Sequence, residues 1–285
     1  MILAPVGFVG AGKVGCSLAR YLQQDPMLGR PGFFSRSAEH AREAAEFCEG
    51  FAYDSVAGLA RDSRFIFLTV PDGAIRELAE GLAVCGVDLT GKIVVHCSGA
   101  TSSDALTACR EAGAHIASMH PLYAVSSRFE CWRELGHAWF SLEGDDEAVC
   151  LLEAILDRLG NRHARIDAAD KVRYHAAAVM ASNLVVGLYH EAAAQLASCG
   201  LSQDDAEAAL ASLFLGNAEH IAHNGCAAAL TGPAARGDTR TIEAHLSCLS
   251  GDDRQIYQLL TNVLYRIAAQ RKRNHTNATR GDSLA

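Results

Sequence analysis

Gly10, Gly12 and Gly15 stand in G-x-G-x-x-G order, the spacing of a loop whose backbone can approach a pyrophosphate. Lys171 and His175 are four residues apart, which puts them on one face of a helix. Asn183 follows two turns later on nearly the same face. Ser98 lies in a Ser-Gly turn after an apolar run, and His120 ends another such run. Lys and His suit general acid work when their pKa values lie near the operating pH, and Ser and Asn can hydrogen-bond a substrate oxygen. Together these groups would serve hydride transfer to a carbonyl or imine, a reaction that needs a proton donor beside the developing charge. Plainer roles fit each of them too. Ser98 could satisfy its own turn, His120 could be a buried structural residue, and Lys171 could be a surface cation at a helix start.

The elements that must position these groups are legible around them. Pro5 to Val9 reads as a buried strand, and Val14, Leu18, Ala19 and Leu22 recur at helical spacing. The glycines therefore stand in a strand–turn–helix context. Gly10 allows the tight turn, Gly12 leaves room for phosphate, and Gly15 lets helix and strand pack closely. The loop Gly10, Ala11, Gly12, Lys13, Val14 and Gly15 is expected to hold the diphosphate at the helix N-terminus. The next strand, Gly32 to Phe34, ends in Ser35, Arg36 and Ser37. A carboxylate usually holds the ribose 2′-hydroxyl of NAD at this place. A hydroxyl and a guanidinium suit a 2′-phosphate instead, so NADP(H) is expected, although Arg36 also fits a solvated loop cation. Arg64 to Val70 is a strand that Pro71 must end. Val70 and Pro71 should border the cofactor, and Asp72 could cap the following helix.

Further strands are expected at Lys92 to His96, His115 to Met119, Ala138 to Leu142 and Arg162 to Ile166. Helices are expected at Ala38 to Cys48 (capped by Ser37), Ala74 to Val84, Ser103 to Ala112 and Glu147 to Leu159, with a short helical turn over Asp54 to Ala60. The alternation predicts an α/β fold, a Rossmann-type doubly wound parallel sheet. After Asp167 no strand signal is found. Val172 to Cys199 reads as one long alanine-rich helix. Three more follow at Asp204 to Asn224, Thr239 to Leu249 and Asp252 to Gln270, with Ser202 and Asp238 as caps. The expected organisation is thus a dinucleotide-binding domain over 1–167, an all-helical C-terminal domain for substrate and dimerisation over 168–270, and a disordered polar tail over 271–285.

The chain has 285 residues, 49% hydrophobic and 20% charged, with a net charge of −8 and a pI of about 5.8. That balance argues against a nucleic-acid partner, and no apolar run is long enough to span a bilayer. The N-terminus lacks a signal-peptide pattern. The ten cysteines are scattered with no C-x-x-C pair, which suits free thiols in a cytoplasmic protein. His220 and His223 are three apart, but no third ligand completes a zinc set. Arg236 could meet a substrate carboxylate or pair with an acid within the protein.

The segments HCSGA (His96 to Ala100), HPL (His120 to Leu122), KVRYHAAAVMASN (Lys171 to Asn183) and LTGPAARGDTRTIEAHL (Leu230 to Leu246) resemble a bacterial Rossmann-like family whose helical C-terminal domain is of unknown function. That family is similar to the wider group of 6-phosphogluconate, β-hydroxyacid and pyrroline-5-carboxylate reductases. In the β-hydroxyacid pattern, a serine after a sheet strand and a lysine followed four residues later by asparagine do the chemistry. Ser98 and Lys171 match the first two, whereas His175 stands where asparagine is expected. The resemblance implies an NADP(H)-dependent oxidoreductase acting on a small molecule, with Lys171 or His175 exchanging the proton and Ser98, His120 and Asn183 orienting substrate. It also implies a homodimer through the helical domains. A non-catalytic NADP(H)-sensing protein on the same fold is the alternative, and an enzyme pairing deazaflavin with NADP shares the N-terminal pattern.

Overall fold

The computed structural model describes residues 3–281. The chain divides into two compact units, Met1–Ser182 and Asn183–Ala285.

The first unit runs β1 (Ala4–Val9), α1 (Lys13–Leu22), β2 (Leu28–Phe34), α2 (Ala38–Phe47), β3 (Phe51–Ala52), α3 (Val56–Asp62), β4 (Phe65–Leu68), α4 (Asp72–Ala83), β5 (Ile93–His96), α5 (Thr107–Glu111), β6 (His115–Pro121), β7 (Phe140–Gly144), α6 (Asp146–Leu159), β8 (His163–Arg165) and α7 (Lys171–Ala181). One sheet of eight strands has the order β3-β2-β1-β4-β5-β6-β7-β8. All pairings are parallel except β6 with β7. The expected α/β doubly wound sheet is therefore present. β4 and β5 are buried at every position, as parallel strands covered on both faces must be.

Aromatic packing fixes the register where the glycine loop emerges. Phe8 on β1 lies opposite both Phe33 on β2 and Phe67 on β4. Their rings stack at 5.5 and 5.0 Å, contacts worth about 0.5–1.5 kcal/mol each beyond their burial. With that register held, β1, β2 and β4 end side by side. A loop leaving β1 then meets the ends of both neighbours at the point where the strand order reverses, the place where open α/β sheets bind ligands.

The second unit contains α8 (Asn183–Ala197), α9 (Gln203–Ala229), α10 (Gly232–Arg236), α11 (Thr239–Cys248) and α12 (Gly251–Gly281). It is all-helical. Ser202 caps α9 through the Asp205 amide, and Asp238 caps α11 through the Thr241 amide, each at 3.1 Å. No helix among the described residues is long and apolar enough to cross a membrane.

Three expectations are corrected. The long helix from Val172 to Cys199 is two helices, because Ser182 leaves helical geometry at φ −128° and ψ −82°. Its hydroxyl donates to the Ala178 carbonyl at 2.7 Å, a back-bond that bends helices. The boundary between units accordingly falls after Ser182, not after Asp167: α7 is anchored to the sheet by its buried first residue, Lys171. Finally, α12 continues past Gln270 to Gly281, through Arg271, Lys272 and Arg273, which are good helix formers. Residues 282–285 of the expected tail lie outside the described residues.

Candidate active site

The glycine loop leaves β1 with each glycine in a distinct environment. Gly10 has a φ of 112°, and a side chain there would strike the Thr69 carbonyl oxygen at 2.5 Å. A side chain on Gly15 would meet the Gly10 carbonyl oxygen at 2.3 Å. A side chain on Gly12 would meet nothing within 4 Å. Gly10 and Gly15 are thus required by the protein's own packing, whereas Gly12 borders open space. Thr69 locks the loop from the end of β4. Its amide donates to the Val9 carbonyl at 2.9 Å, and its hydroxyl donates to the Gly10 carbonyl at 2.7 Å. Gly12 begins α1 without a side-chain cap, so the first amides of that helix remain free to bind an anion.

A groove of about 720 Å³ opens over this loop. Of the residues expected to hold a cofactor, Gly10, Ala11, Gly12, Lys13, Ser35, Arg36, Val70 and Pro71 line it. Gly15, Val14 and Ser37 do not: Gly15 packs beneath Gly10, Val14 is half-buried in the first turn of α1, and Ser37 caps α2 through the His40 amide at 3.3 Å. Thr69, from the turn expected to border the cofactor, also lines the groove, as do His40, Glu77 and Arg128, which were not legible in the sequence. A dinucleotide fits what is present, with free amides and open space at Gly12 for the diphosphate, and Ser35 and exposed Arg36 at the end of β2 for a phosphorylated ribose.

A polar cluster begins one residue beyond Pro71. Asp72 does not cap α4; Pro71 holds that position. The Asp72 carboxylate instead accepts a 2.8 Å hydrogen bond from the Ser98 hydroxyl. The same hydroxyl accepts from the Ala100 and Thr101 amides at 3.3 and 3.0 Å, so its hydrogen-bonding capacity is used within the turn. His96, fully buried at the end of β5, accepts from the Ser98 amide through Nδ1 at 3.2 Å, and its Nε2 lies 3.1 Å from the Ser102 carbonyl. Those two partners require a neutral ring with its hydrogen on Nε2. Burial brings the His96 pKa down to about 4.

Lys171 begins α7 with no exposed surface. Its Nζ donates to the Ser98 carbonyl at 2.9 Å and to the Ser118 hydroxyl at 2.6 Å. It is not a surface cation. Burial lowers its pKa to about 8, against the opposing pull of Glu143, Cys97 and Asp72. Glu143 on β7 is itself buried and accepts from the Ser103 amide at 2.8 Å. The lysine therefore joins three strands: it holds the turn after β5 and the Ser118 hydroxyl of β6, while facing the charge of a β7 carboxylate.

His120, Tyr174 and His175 form the outer part of the cluster. His120 Nδ1 lies 2.7 Å from the Tyr174 hydroxyl, and its ring meets those of Tyr174 and His175 edge-on at centroid distances of 5.6 and 6.0 Å. Burial, then the charges of Lys171 and His175, lower the His120 pKa to about 4. Burial raises that of Tyr174. A protonated phenol donating to Nδ1 leaves the imidazole hydrogen on Nε2. That nitrogen turns toward Gly99, as does His175 Nδ1. A side chain on Gly99 would lie 2.5 Å from His175 Nδ1 and 2.9 Å from His120 Nε2. His175 Nδ1 is buried with no hydrogen-bond partner, and the residue as a whole is half-buried.

The structure thus brings Ser98 to Lys171 and His120 to His175. Asn183 opens α8 in the second unit, and the break at Ser182 removes the continuous helical phase that would align it with His175. Tyr174 was missed, although its place one turn after Lys171 was a usable signal. Arg236 ends α10, exposed, and Gly237 follows it at φ 73°. His223 Nδ1 meets the Glu219 carbonyl of its own helix at 2.7 Å.

Two family models match the chain: a Rossmann-like domain over residues 3–121 and a domain of unknown function, DUF2520, over residues 138–278. The chain belongs to the Rossmann-like proteins. More narrowly, it belongs to those that carry a DUF2520 domain behind the nucleotide-binding fold. Among solved structures it is similar to a Thermotoga maritima protein, with 27% identity, a TM-score of 0.74, and coverage of 94% of this chain and 99% of that one. It is also similar to a Bacteroides fragilis protein provisionally named an NADP oxidoreductase, at 25% identity and TM-score 0.70, covering 93% and 98%. A pyrroline-5-carboxylate reductase from Coxiella burnetii shares the fold at 16% identity and TM-score 0.64, covering 95% and 99%. No curated protein matches the chain at a significant level.

Proposed function

We propose that this chain is an NADP(H)-dependent oxidoreductase acting on a small carbonyl, imine or hydroxy-acid substrate. One observation carries the reading. Pro71 lines the groove over the glycine loop, and the next residue, Asp72, is bonded into the cluster of Ser98, Lys171, His120, Tyr174 and His175. A binding groove and a set of titratable groups adjoin at consecutive residues. The name given to the Bacteroides fragilis protein agrees with this reading, as does the Ser35-Arg36 pair in place of an acidic residue at the end of β2.

A bound nicotinamide supplies or accepts the hydride. The chain's own residues divide the remaining work. His175, half-buried at the outer part of the cluster, exchanges the proton with the substrate. Tyr174 fixes the tautomer of His120, whose Nε2–H turns toward Gly99, as does His175 Nδ1. Lys171 is a positioning residue, since both of its bonds are made inside the protein. It sets the Ser98 turn and adds a positive field that favours an anionic or oxyanionic substrate. The Ser98 hydroxyl aligns Asp72 and the turn rather than the substrate.

The helical unit exposes Val186 on α8, Leu213 and Leu215 on α9, and Leu259 on α12. A homodimer through this unit would cover them, consistent with the tendency of soluble proteins to bury large apolar patches.

The test is NADPH consumption against a panel of keto acids and cyclic imines, followed by nicotinamide absorbance. Turnover with at least one class, lost in His175→Ala while NADPH binding persists, is the expected result. A His175→Ala protein that turns over at the wild-type rate would refute the proton assignment. A wild-type protein that binds NADPH but reduces nothing on the panel favours the sensing alternative, which the internal bonds of Lys171 and Ser98 would also suit.

A further inference from the structure

Arg128 lies on the wall of the groove although it comes from a distant part of the chain, the segment between β6 and β7. That segment is strapped across α1 and α2. The Ser17 hydroxyl of α1 bonds the carbonyls of Ser127 and Arg128 at 3.2 and 3.3 Å. The Phe129 ring packs on Phe47 of α2 at 4.8 Å. The Arg128 guanidinium reaches the first turns of α2, with Nη1 donating to Glu43 at 2.7 Å and Nη2 donating to the His40 carbonyl at 3.3 Å. Its Nε is buried with no hydrogen-bond partner. The Cys16 thiol of α1 also interacts with this guanidinium, and Arg128 lines the groove that a dinucleotide would occupy. Arg36 and His40, from the loop after β2 and the start of α2, line the same groove.

We infer that Arg128 is a second guanidinium for the 2′-phosphate of NADP(H), facing Arg36 across the ribose end of the groove. The inference rests on the NADP(H) reading above and adds a residue and a segment to it. Arg36 alone offers one cation on an exposed loop. Arg128 adds one held by a strap on two helices, with Glu43 and Phe129 limiting its motion. A phosphomonoester would draw the guanidinium away from Glu43, so Glu43 acts as a placeholder that lets the arginine remain partly buried without ligand. The 2′-hydroxyl of NAD(H) carries no charge to displace Glu43, so Arg128 discriminates between the two dinucleotides.

The experiment measures dissociation constants of NADPH, NADH and adenosine 2′,5′-bisphosphate for the wild-type full chain, Arg128→Gln and Arg128→Lys. Arg128→Gln should weaken NADPH and the bisphosphate by about tenfold or more, as loss of a charged hydrogen bond does, and leave NADH within about threefold. Arg128→Lys should fall between, because an ammonium keeps the charge and loses the planar fork. Equal loss of NADPH and NADH in Arg128→Gln would overturn the inference, since the residue would then serve the diphosphate or the strap alone. Unchanged NADPH binding in Arg128→Gln would also overturn it. If the wild-type protein binds neither dinucleotide, it is the NADP(H) reading itself that fails, and the bisphosphate arm decides Arg128: binding lost in Arg128→Gln upholds the phosphate site, and no binding removes it.

Discussion

His120 Nδ1 and the Tyr174 hydroxyl lie 2.7 Å apart, with their rings edge-on at 89°. This pair links the end of β6 to the first turn of α7, and it determines which nitrogen of His120 carries hydrogen. Tyr174→Phe removes the only hydrogen-bonding atom of that ring and leaves Nδ1 without its partner. Turnover should drop about 10- to 100-fold, in the range of misplaced acid–base groups, with the NADPH dissociation constant unchanged. Steady-state kinetics beside a binding titration checks this. An unchanged kcat would show that the tautomer does not matter to the reaction.

Gly99 is the point on which two histidines converge. A methyl group there would lie 2.5 Å from His175 Nδ1 and 2.9 Å from His120 Nε2. Gly99→Ala must displace one ring or both, and overpacking of this sort costs about 1–3 kcal/mol. Denaturant unfolding should show that loss together with a collapse of turnover. A Gly99→Ala protein with native stability and native kinetics would mean that the histidines are not held as described.

Lys171 makes stability depend on pH in a defined direction. Its pKa is about 8 in the folded chain and near 10.5 when exposed. Below pH 8 both states hold the proton. Between about 8 and 10.5 the folded state has released it while the unfolded state keeps it, so stability rises with pH across that window, by roughly 3 kcal/mol in total. Lys171→Met abolishes this contribution. Unfolding free energies of the two proteins, compared from pH 7.5 to 10, should converge or cross in favour of the wild type as pH rises. Parallel curves would show that Lys171 is not desolvated.

Dimerisation is tested by light scattering of the purified chain. The exposed apolar residues on α8, α9 and α12 predict a mass of two chains, and Leu213→Glu combined with Leu259→Glu should shift it to one. A monomer at micromolar concentration in the wild type would contradict the proposed pairing.

Seven of the eight strands were readable in the sequence because their signals are local, whereas the two-residue edge strand β3 gave none. Short β-rich runs, glycine turns and capping serines such as Ser37 and Ser202 act within a few residues, and each reappears in place. What could not be read depends on contacts between remote segments. Thr69 locks Gly10 only because β1 and β4 share a register. Arg128 reaches the groove only because its strap crosses two helices. The two bonds of Lys171 likewise come from separate elements, the turn after β5 and strand β6. The break at Ser182 carries no proline or glycine to announce it, and its backbone geometry has no counterpart in the alanine-rich pattern around it.

The proposed function requires that the loop over Gly12 hold a dinucleotide. Gly12 faces open space, so Gly12→Ala adds a methyl group that the protein itself does not contact. The decisive measurement is an NADPH titration of wild type and Gly12→Ala, with the melting temperature of each. Saturable binding by the wild type, weakened in Gly12→Ala at an unchanged melting temperature, is the result this account predicts. Absence of NADPH binding by the wild type, or equal binding by both proteins, would contradict it.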